Sequence, residues 1–230
     1  GLIRPDLEGP LRIAGRADET EAGLWDGSVD LSGAYDLSGE VSGRVGFGPA
    51  ADRSAVTLDI SLPDVSPLVP RLEGGVTVTG SAVAAEGAQW QVDLEVDAPA
   101  GARVAVAGVV GGAAADVELD VELPDIAAFA PGVPGAAAIE GRAVQYAPGG
   151  FRVTLDADLP YGATADLRGR VGASRSALLY EARVPDLSAV SPALSGPATA
   201  TGRIVHRPSG PIAFTAAAAG PYDAPAGAGA

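Results

Sequence analysis

The 230-residue sequence contains no cysteine, methionine, lysine or asparagine, and it contains a single histidine. Without cysteine it forms neither a disulfide nor a thiolate metal site. His206 stands beside Arg207 and Pro208 in a predicted turn, and one histidine cannot furnish a triad or a zinc site that repeats along the chain. The glycine-rich stretch 107–116 lacks the lysine and the following helix of a phosphate loop. The sequence therefore predicts no enzyme activity, no cofactor and no metal site.

Charge and hydropathy narrow the range of partners. The formal net charge is -14 at pH 7, and no cluster of basic residues interrupts the acidic excess along the sequence. Such a chain repels phosphate backbones, which excludes nucleic acid as a partner. No uninterrupted apolar run approaches the roughly 18 residues of a membrane-spanning helix, because glycine and proline break the longest uncharged stretches.

The chain repeats itself with a period of 61 residues. Glycine, proline and apolar positions stay in register over this shift without a gap, which indicates strong internal homology. The clearest marker is a Pro-Asp phrase that occurs as LPDVSPLVP at 62–70, LPDIAAFAP at 123–131 and VPDLSAVSP at 184–192.

The period divides the chain into parts that we expect to form one continuous structural array. Since the array starts and stops within a repeat, and Gly1 is not an initiator methionine, we expect a segment of a longer polypeptide. The parts are a degenerate repeat (1–61), two full repeats (62–122 and 123–183) and a truncated repeat (184–230).

Apolar and polar residues alternate within each repeat, which is typical of strands with one buried face. In QWQVDLEVD, at 89–97, every second residue is apolar and most residues between are acidic. The pattern predicts about four strands per repeat, each roughly eight to ten residues long and ending at a turn with glycine or proline.

The Pro-Asp phrase is interpreted as a strand end followed by a capped turn. Pro63 removes a ladder donor, and the carboxylate of Asp64 is placed to cap a short helical turn, as are its equivalents Asp125 and Asp186. Repeated calcium ligation is the weaker interpretation, because the acidic residues alternate along strands and do not converge in one loop.

The strands require a cover for their apolar side, and the sequence offers no helices to provide one. We predict an all-β fold, an elongated, curled, U-shaped and mostly antiparallel sheet with its apolar side lining a trough. An outer-membrane barrel segment is the rival fold, and the scarcity of aromatic girdle residues disfavours it. The predicted lining residues are Val76, Val78, Trp90, Val92, Leu94, Val96, Val104, Val106, Val117, Leu119, Val121, Phe151, Val153, Leu155, Leu167, Val171, Leu178 and Tyr180.

The Pro-Asp phrases, together with the element LPYGATADLRGRVG at 159–172, resemble the repeats of the TamB branch of the AsmA-like family of bacterial cell-envelope proteins. The resemblance spans essentially the whole chain and depends on the repeat pattern and a short degenerate phrase. It implies a β-taco, which is a periplasmic groove lined with aliphatic side chains, in a parent protein anchored to the inner membrane. The family's signal anchor and its domain for a barrel partner have no counterpart in this sequence.

The function implied by the resemblance is transport of phospholipid acyl chains along the groove between the inner and outer membranes. Support of outer-membrane protein assembly, as part of a translocation and assembly module with a TamA-like barrel partner, is implied as well. Two alternatives remain open. One is a structural or adhesive surface array with a dry core, and the other is a chaperone-like groove that pairs unfolded strands at a sheet edge.

Overall fold

A computed structural model describes the chain at residues 10–112, 114–129, 132–173, 175–189, 194–206 and 213–220. The chain divides into two compact units, residues 1–124 (unit 1) and 125–230 (unit 2). The all-β antiparallel fold predicted from the sequence is confirmed. Across the described ranges, no helix has both the length and the apolar character needed to span a membrane.

Unit 1 is an antiparallel meander in which each strand pairs with the next strand along the chain. Meanders of this kind need only short connections, which the frequent glycines and prolines supply. Its strands are β1 (Arg12–Glu21), β2 (Leu24–Ser32), β3 (Ser38–Gly46), β4 (Ala55–Leu62), β5 (Val76–Ala85), β6 (Gln89–Asp97), β7 (Arg103–Gly111) and β8 (Asp116–Leu123).

Unit 2 continues the same design with neighbouring strands paired in chain order. Its described strands are β9 (Ala137–Ala147), β10 (Gly150–Asp158), β11 (Thr164–Gly172), β12 (Ser176–Val184), β13 (Ala198–His206) and β14 (Ala213–Ala219).

The strand count per repeat agrees with the prediction of about four. The two full repeats supply β5–β8 and β9–β12, and Gln89 and Gly150, which begin β6 and β10, stand one period apart. The degenerate repeat supplies β1–β4, although Trp25 and Trp90 are separated by four residues more than the period. The extra length lies in a six-residue 3-10 segment, Gly48–Arg53, between β3 and β4.

The remaining helical elements are single 3-10 turns between strands. Three of them share a left-handed central residue, Tyr35 (φ 61°), Ala100 (φ 60°) or Tyr161 (φ 65°), in the connection that follows the second strand of each repeat. Their backbone is closed by hydrogen bonds such as the one from Ala98 N to the Ala102 carbonyl, 2.8 Å. The turns are Ala34–Asp36, Glu86–Ala88, Pro99–Gly101, Ile126–Ala128, Pro160–Gly162 and Leu187–Ala189.

The fully enclosed positions of the described chain lie at strand ends. Leu24, at the start of β2, is 1% exposed, and Ser54, before β4, is 2% exposed. The Ser54 hydroxyl accepts a hydrogen bond from Gly46 N (2.8 Å) and donates one to the Ala51 carbonyl (2.9 Å). The other buried side chains of the described residues are small or aliphatic: Ala50, Val65, Pro99, Ala102, Ala115, Ala137 and Pro160.

Candidate apolar binding face

One side of unit 1 carries apolar side chains that continue from strand to strand. Leu94 on β6 pairs with Val106 on β7, and Val106 pairs with Leu119 on β8. Since successive side chains along a strand point to opposite sides, the residues two positions away share this side. A second row passes through Val96, Val104 and Val121 in the same way. We call this surface the apolar face of unit 1.

Every predicted lining residue of unit 1 lies on this face, from Val76 on β5 to Val121 on β8. The rows extend further than predicted, since Val78 pairs with Ile60 on β4. Leu58, also on β4, pairs with Val41 on β3. Residues that share the face and were missed are Trp25, Val29, Leu31, Val41, Val45, Val56, Leu58, Ile60, Leu62 and Val110.

The missed residues had a signal in the sequence. LWDGSVDLS, the sequence of β2, alternates from Trp25 onward as QWQVDLEVD, the sequence of β6, does, with glycine at position 27 of the apolar side. Trp25 and Trp90 stand at equivalent strand positions, ten residues after Gly15 and Gly80, which predicts a packing role for Trp25. Extending this alignment along β2 places Val29 and Leu31 on the same face, although β2 is offset by four residues from the 61-residue period.

The predicted lining residues of unit 2 also share one side of their strands. Phe151 pairs with Val171, Leu155 pairs with Leu167, and Leu167 pairs with Tyr180. Alternation adds Val153 and Leu178 to the same side, with Ile139 and Ile204 joining from neighbouring strands. This apolar face of unit 2 is thinner than that of unit 1 because one row consists mainly of alanine, at Ala157, Ala165, Ala182 and Ala200.

Both apolar faces are incompletely covered. Every predicted lining residue is half-buried except Val171, which is 37% exposed, and none falls among the buried residues. Trp25 and Val29 are 37% and 38% exposed. A sandwich would enclose such rows between two sheets, as its interior requires. The described parts of the two units therefore present aliphatic rows that no second protein layer encloses.

The apolar face of unit 1 is hollowed near β1–β4. A cavity of about 360 Å³ opens there between Trp25, Val29, Val45 and Val56. Ligand pockets typically measure about 300–1,000 Å³ and are mainly apolar, so this hollow lies at the small end of that range. The row at the floor of the hollow includes Gly27 and Gly43. Because glycine has no side chain, the surface is depressed at these positions.

Two glycines of the small-residue row have backbone conformations that side chains rarely adopt. Gly43 on β3 and Gly108 on β7 both have φ +149°. A Cβ at Gly108 would collide with the Asp116 carbonyl and with the Cα of Val117, and one at Gly43 would collide with the Ala55 carbonyl. Both positions therefore require glycine for close strand approach, and Gly43 also contributes to the depth of the hollow.

The aspartates of the Pro-Asp phrase act as turn caps. The Asp125 carboxylate accepts hydrogen bonds from Ala127 N (3.0 Å) and Gly135 N (3.1 Å). Asp186 repeats this with Ser188 N (2.9 Å) and Gly196 N (3.2 Å). The strands end at Leu62, Leu123 and Val184, directly before the prolines. The predicted strand stop and capped turn are confirmed.

These hydrogen bonds also determine the acidity of the caps. The side-chain and backbone bonds from Ser66 lower the pKa of Asp64, and those from Ser188 lower the pKa of Asp186. For Asp125 the bonds from the Ala127 and Gly135 amides lower the pKa. All three carboxylates are stabilised in their charged form, as expected when a carboxylate accepts several donors.

We expect the caps to make the protein sensitive to acid. A carboxylate with a lowered folded pKa contributes stability above the ordinary aspartate pKa of about 3.9, and loses that contribution as the pH falls through the folded value. The triple variant Asp64→Asn, Asp125→Asn and Asp186→Asn keeps an acceptor oxygen but does not titrate. Its melting temperature should fall less than that of the wild type between about pH 5 and about pH 2, a range that spans this titration.

The control for the acid experiment is Asp59→Asn, in the middle of β4. Thermal melting followed by circular dichroism at each pH provides the measurement. If the triple variant and the wild type lose melting temperature in parallel on acidification, the caps do not account for the acid response.

His206 ends β13 and pairs with Ser176 across the ladder to β12. Its side chain is exposed. The neighbouring residues 207–212, which include the predicted turn at Arg207 and Pro208, lie outside the described residues. No protein-family model, curated protein or solved structure matches the chain.

Proposed function

We propose that the apolar faces bind the acyl chains of phospholipids and that the protein performs no chemical step of its own. The observation that supports this most directly is the row structure of unit 1. From β2 to β8 its three central rows contain only glycine and aliphatic residues, such as Val29, Leu58 and Leu94, and these side chains remain half-exposed. Contiguous exposed apolar surface of this kind is typical of interaction sites.

The affinity would come from removing apolar area from water. At about 25 cal/mol per Å², each buried methylene contributes about 0.8 kcal/mol, so affinity should increase with acyl-chain length. The central rows contain no charged side chain to pair with a phosphate or amine. The nature of the lipid head group should therefore affect binding less than the length of the chain.

We place this binding activity in the cell envelope on the basis of the repeat resemblance. We propose that the chain is a segment of a periplasmic β-groove protein of the AsmA-like family, in a parent anchored to the inner membrane. Within that parent the segment would carry phospholipid between membranes, and it would support outer-membrane protein assembly with a TamA-like barrel partner. The Pro-Asp turns and the alternating strands are the sequence features on which the assignment to this family depends.

Lipid extraction tests the proposal directly. The protein is purified without detergent from a bacterial host, extracted with organic solvent, and the extract is analysed by mass spectrometry. We expect phospholipid to co-purify in amounts proportional to protein. A protein free of lipid that also fails to bind fatty acids added in solution would overturn the proposal and favour the structural array.

The two tryptophans offer an independent readout on the same face. Trp25 lies at the hollow of unit 1, and Trp90 pairs with Ala84 and Val110 on that face. Fatty acids brominated on the acyl chain should quench tryptophan emission, whereas a water-soluble bromide salt at equal bromine concentration should quench it less. A series of chain lengths should show quenching at lower concentration for longer chains.

A further inference from the structure

The side of unit 2 that is opposite its apolar face carries a row of arginines. The row is not visible in the linear sequence. Arg142 on β9 pairs with Thr154 on β10, and Thr154 pairs with Arg168 on β11. Arg168 pairs with Leu179 on β12, and Leu179 pairs with Arg203 on β13. The row therefore places an arginine on every second strand. We call it the basic row.

Two arginines of the basic row, Arg168 and Arg203, are exposed. Within the described chain, Arg168 and Arg203 have no carboxylate within ion-pair distance, in contrast to Arg183, which contacts Asp166 at 3.2 Å and Glu181 at 2.7 Å. Leu179, between the two arginines, is 52% exposed. These residues border an open hollow of about 680 Å³, which Asp166 and Glu181, the partners of Arg183, also line. A single exposed leucine is ordinary on a protein surface, but arginine is among the residues enriched at interfaces.

The internal repeat provides a control for what the fold itself requires. One period earlier, the positions equivalent to Arg168 and Leu179 are Ala107 and Glu118, in strands β7 and β8 that pair in the matching register. Strand pairing therefore does not depend on arginine or leucine at these positions. The basic row is a specialisation of unit 2 that needs another explanation.

Unit 1 carries a row of the opposite charge on its own polar side. Asp59 on β4 pairs with Thr79 on β5, which pairs with Glu95 on β6. Glu95 pairs with Ala105 on β7, and Ala105 pairs with Asp120 on β8. The three acidic side chains are exposed and, across the residues that the structure describes, none of them has an ion-pair partner. We call this the acidic row.

The two rows have the same spacing. Neighbouring strands lie about 4.8 Å apart, so charges on alternate strands are about 9.6 Å apart in both rows. When the rows face each other, Arg168 at the centre of one meets Glu95 at the centre of the other in either direction along the row. Leu179 then faces Thr79 or Ala105, both of which are small enough to admit it.

We propose that the basic row of unit 2 docks on the acidic row of unit 1 in a second copy of this chain. Two sheet faces pack about 10 Å apart, a distance that arginine and glutamate side chains bridge. A hollow of about 300 Å³ between Glu95 and Asp120, above Ala105, provides room for Leu179 in one of the two directions. A single such contact joins two different surfaces and leaves one row of each copy unoccupied.

The proposal is independent of lipid binding, because the two rows lie on the polar sides of their sheets and the aliphatic rows lie on the opposite sides. Exposed ion pairs are weak and are screened by salt, with a Debye length of about 30 Å at 0.01 M and about 8 Å at 0.15 M ionic strength. The association should therefore be modest and should weaken as salt is added. Association through the apolar faces would not weaken on addition of salt, and kosmotropic salts such as sulfate would strengthen it.

Sedimentation velocity of the delipidated full chain tests the contact. At low ionic strength the weight-average sedimentation coefficient of the wild type should rise with protein concentration, and addition of salt should abolish the rise. The variants Arg168→Glu with Arg203→Glu, and Glu95→Arg with Asp120→Arg, should each lose the concentration dependence. An equimolar mixture of the two variants should regain it, because the intact acidic row of the first variant meets the intact basic row of the second, and the two reversed rows are complementary as well.

Controls separate this contact from bulk charge and from misfolding. Arg71→Glu with Arg175→Glu changes the net charge by the same amount as Arg168→Glu with Arg203→Glu but leaves both rows intact. This control variant should therefore still associate. The neutral pair Arg168→Gln with Arg203→Gln replaces the reversed pair if circular dichroism shows that the reversed pair is unfolded. A wild type that stays monomeric at low salt, or a mixture that does not regain association, overturns the proposal. Wild-type binding to anionic phospholipid vesicles without self-association overturns it in favour of a membrane surface.

Discussion

Replacing Leu94 by arginine should strongly weaken acyl-chain binding to unit 1 while the sheet remains folded. Leu94 lies at the centre of the apolar face, paired with Gly80 on one side and Val106 on the other. Loss of a leucine contact costs about 1.5–3 kcal/mol, and a guanidinium facing an acyl chain adds a desolvation cost. We expect binding of a fluorescent fatty acid to weaken by at least about tenfold, which corresponds to about 1.4 kcal/mol.

The matched control for this prediction is Asp93→Arg, on the same strand but on the opposite side of the sheet. It introduces the same side chain one residue away and should leave fatty-acid binding unchanged. Far-UV circular dichroism should retain the β signal in both variants, because an arginine at a half-exposed position can reach solvent. Equal binding by wild type and Leu94→Arg would mean that the aliphatic rows are not the lipid site.

Replacing Gly108 by alanine should strongly destabilise unit 1, although it adds only one methyl group. Its φ of +149° is disfavoured for alanine, and the added Cβ would collide with the Asp116 carbonyl and the Val117 Cα on the neighbouring strand. Backbone strain of this kind costs about 1–3 kcal/mol, before the shift of β8 that relieves the collision is counted. We expect the urea midpoint to fall accordingly, and Gly43→Ala to behave alike for the same geometric reason.

The control is Gly172→Ala at the end of β11, where an added Cβ meets its nearest neighbour, the Arg175 carbonyl, at an ordinary 3.4 Å. Its urea midpoint should remain close to that of the wild type. A Gly108→Ala variant as stable as this control would show that β7 and β8 adjust to a side chain without cost, and that the glycine serves another purpose.

Alternation along the strands was sufficient to predict much of the fold. The strict pattern in QWQVDLEVD predicted the position of β6 and its two faces. The Pro-Asp phrases predicted the strand ends at Leu62, Leu123 and Val184. Both signals are local, because the side-chain period of a strand and the missing amide of proline act within a few residues.

The features that were not predicted depend on register between strands. Arg142, Arg168 and Arg203 are distant in sequence, and only the ladders of β9–β13 align them in one row. The extra 3-10 segment at Gly48–Arg53 likewise has no periodic signal, since it inserts between β3 and β4 and leaves the pairing of Val41 with Leu58 intact. A single sequence does not specify such pairings, because a shift in register changes every neighbour across the strand.

The meander within each unit has a mechanical consequence. Every strand hydrogen-bonds only to strands adjacent along the chain, and in antiparallel ladders these bonds run perpendicular to the strands. Tension applied to the two ends of such a unit acts on the hydrogen bonds of a ladder one after another. The terminal strand therefore separates while the hydrogen bonds between the next two strands are still intact. A unit built in this way yields at low force and in small steps, and it recovers its ladders in reverse order when the tension is released.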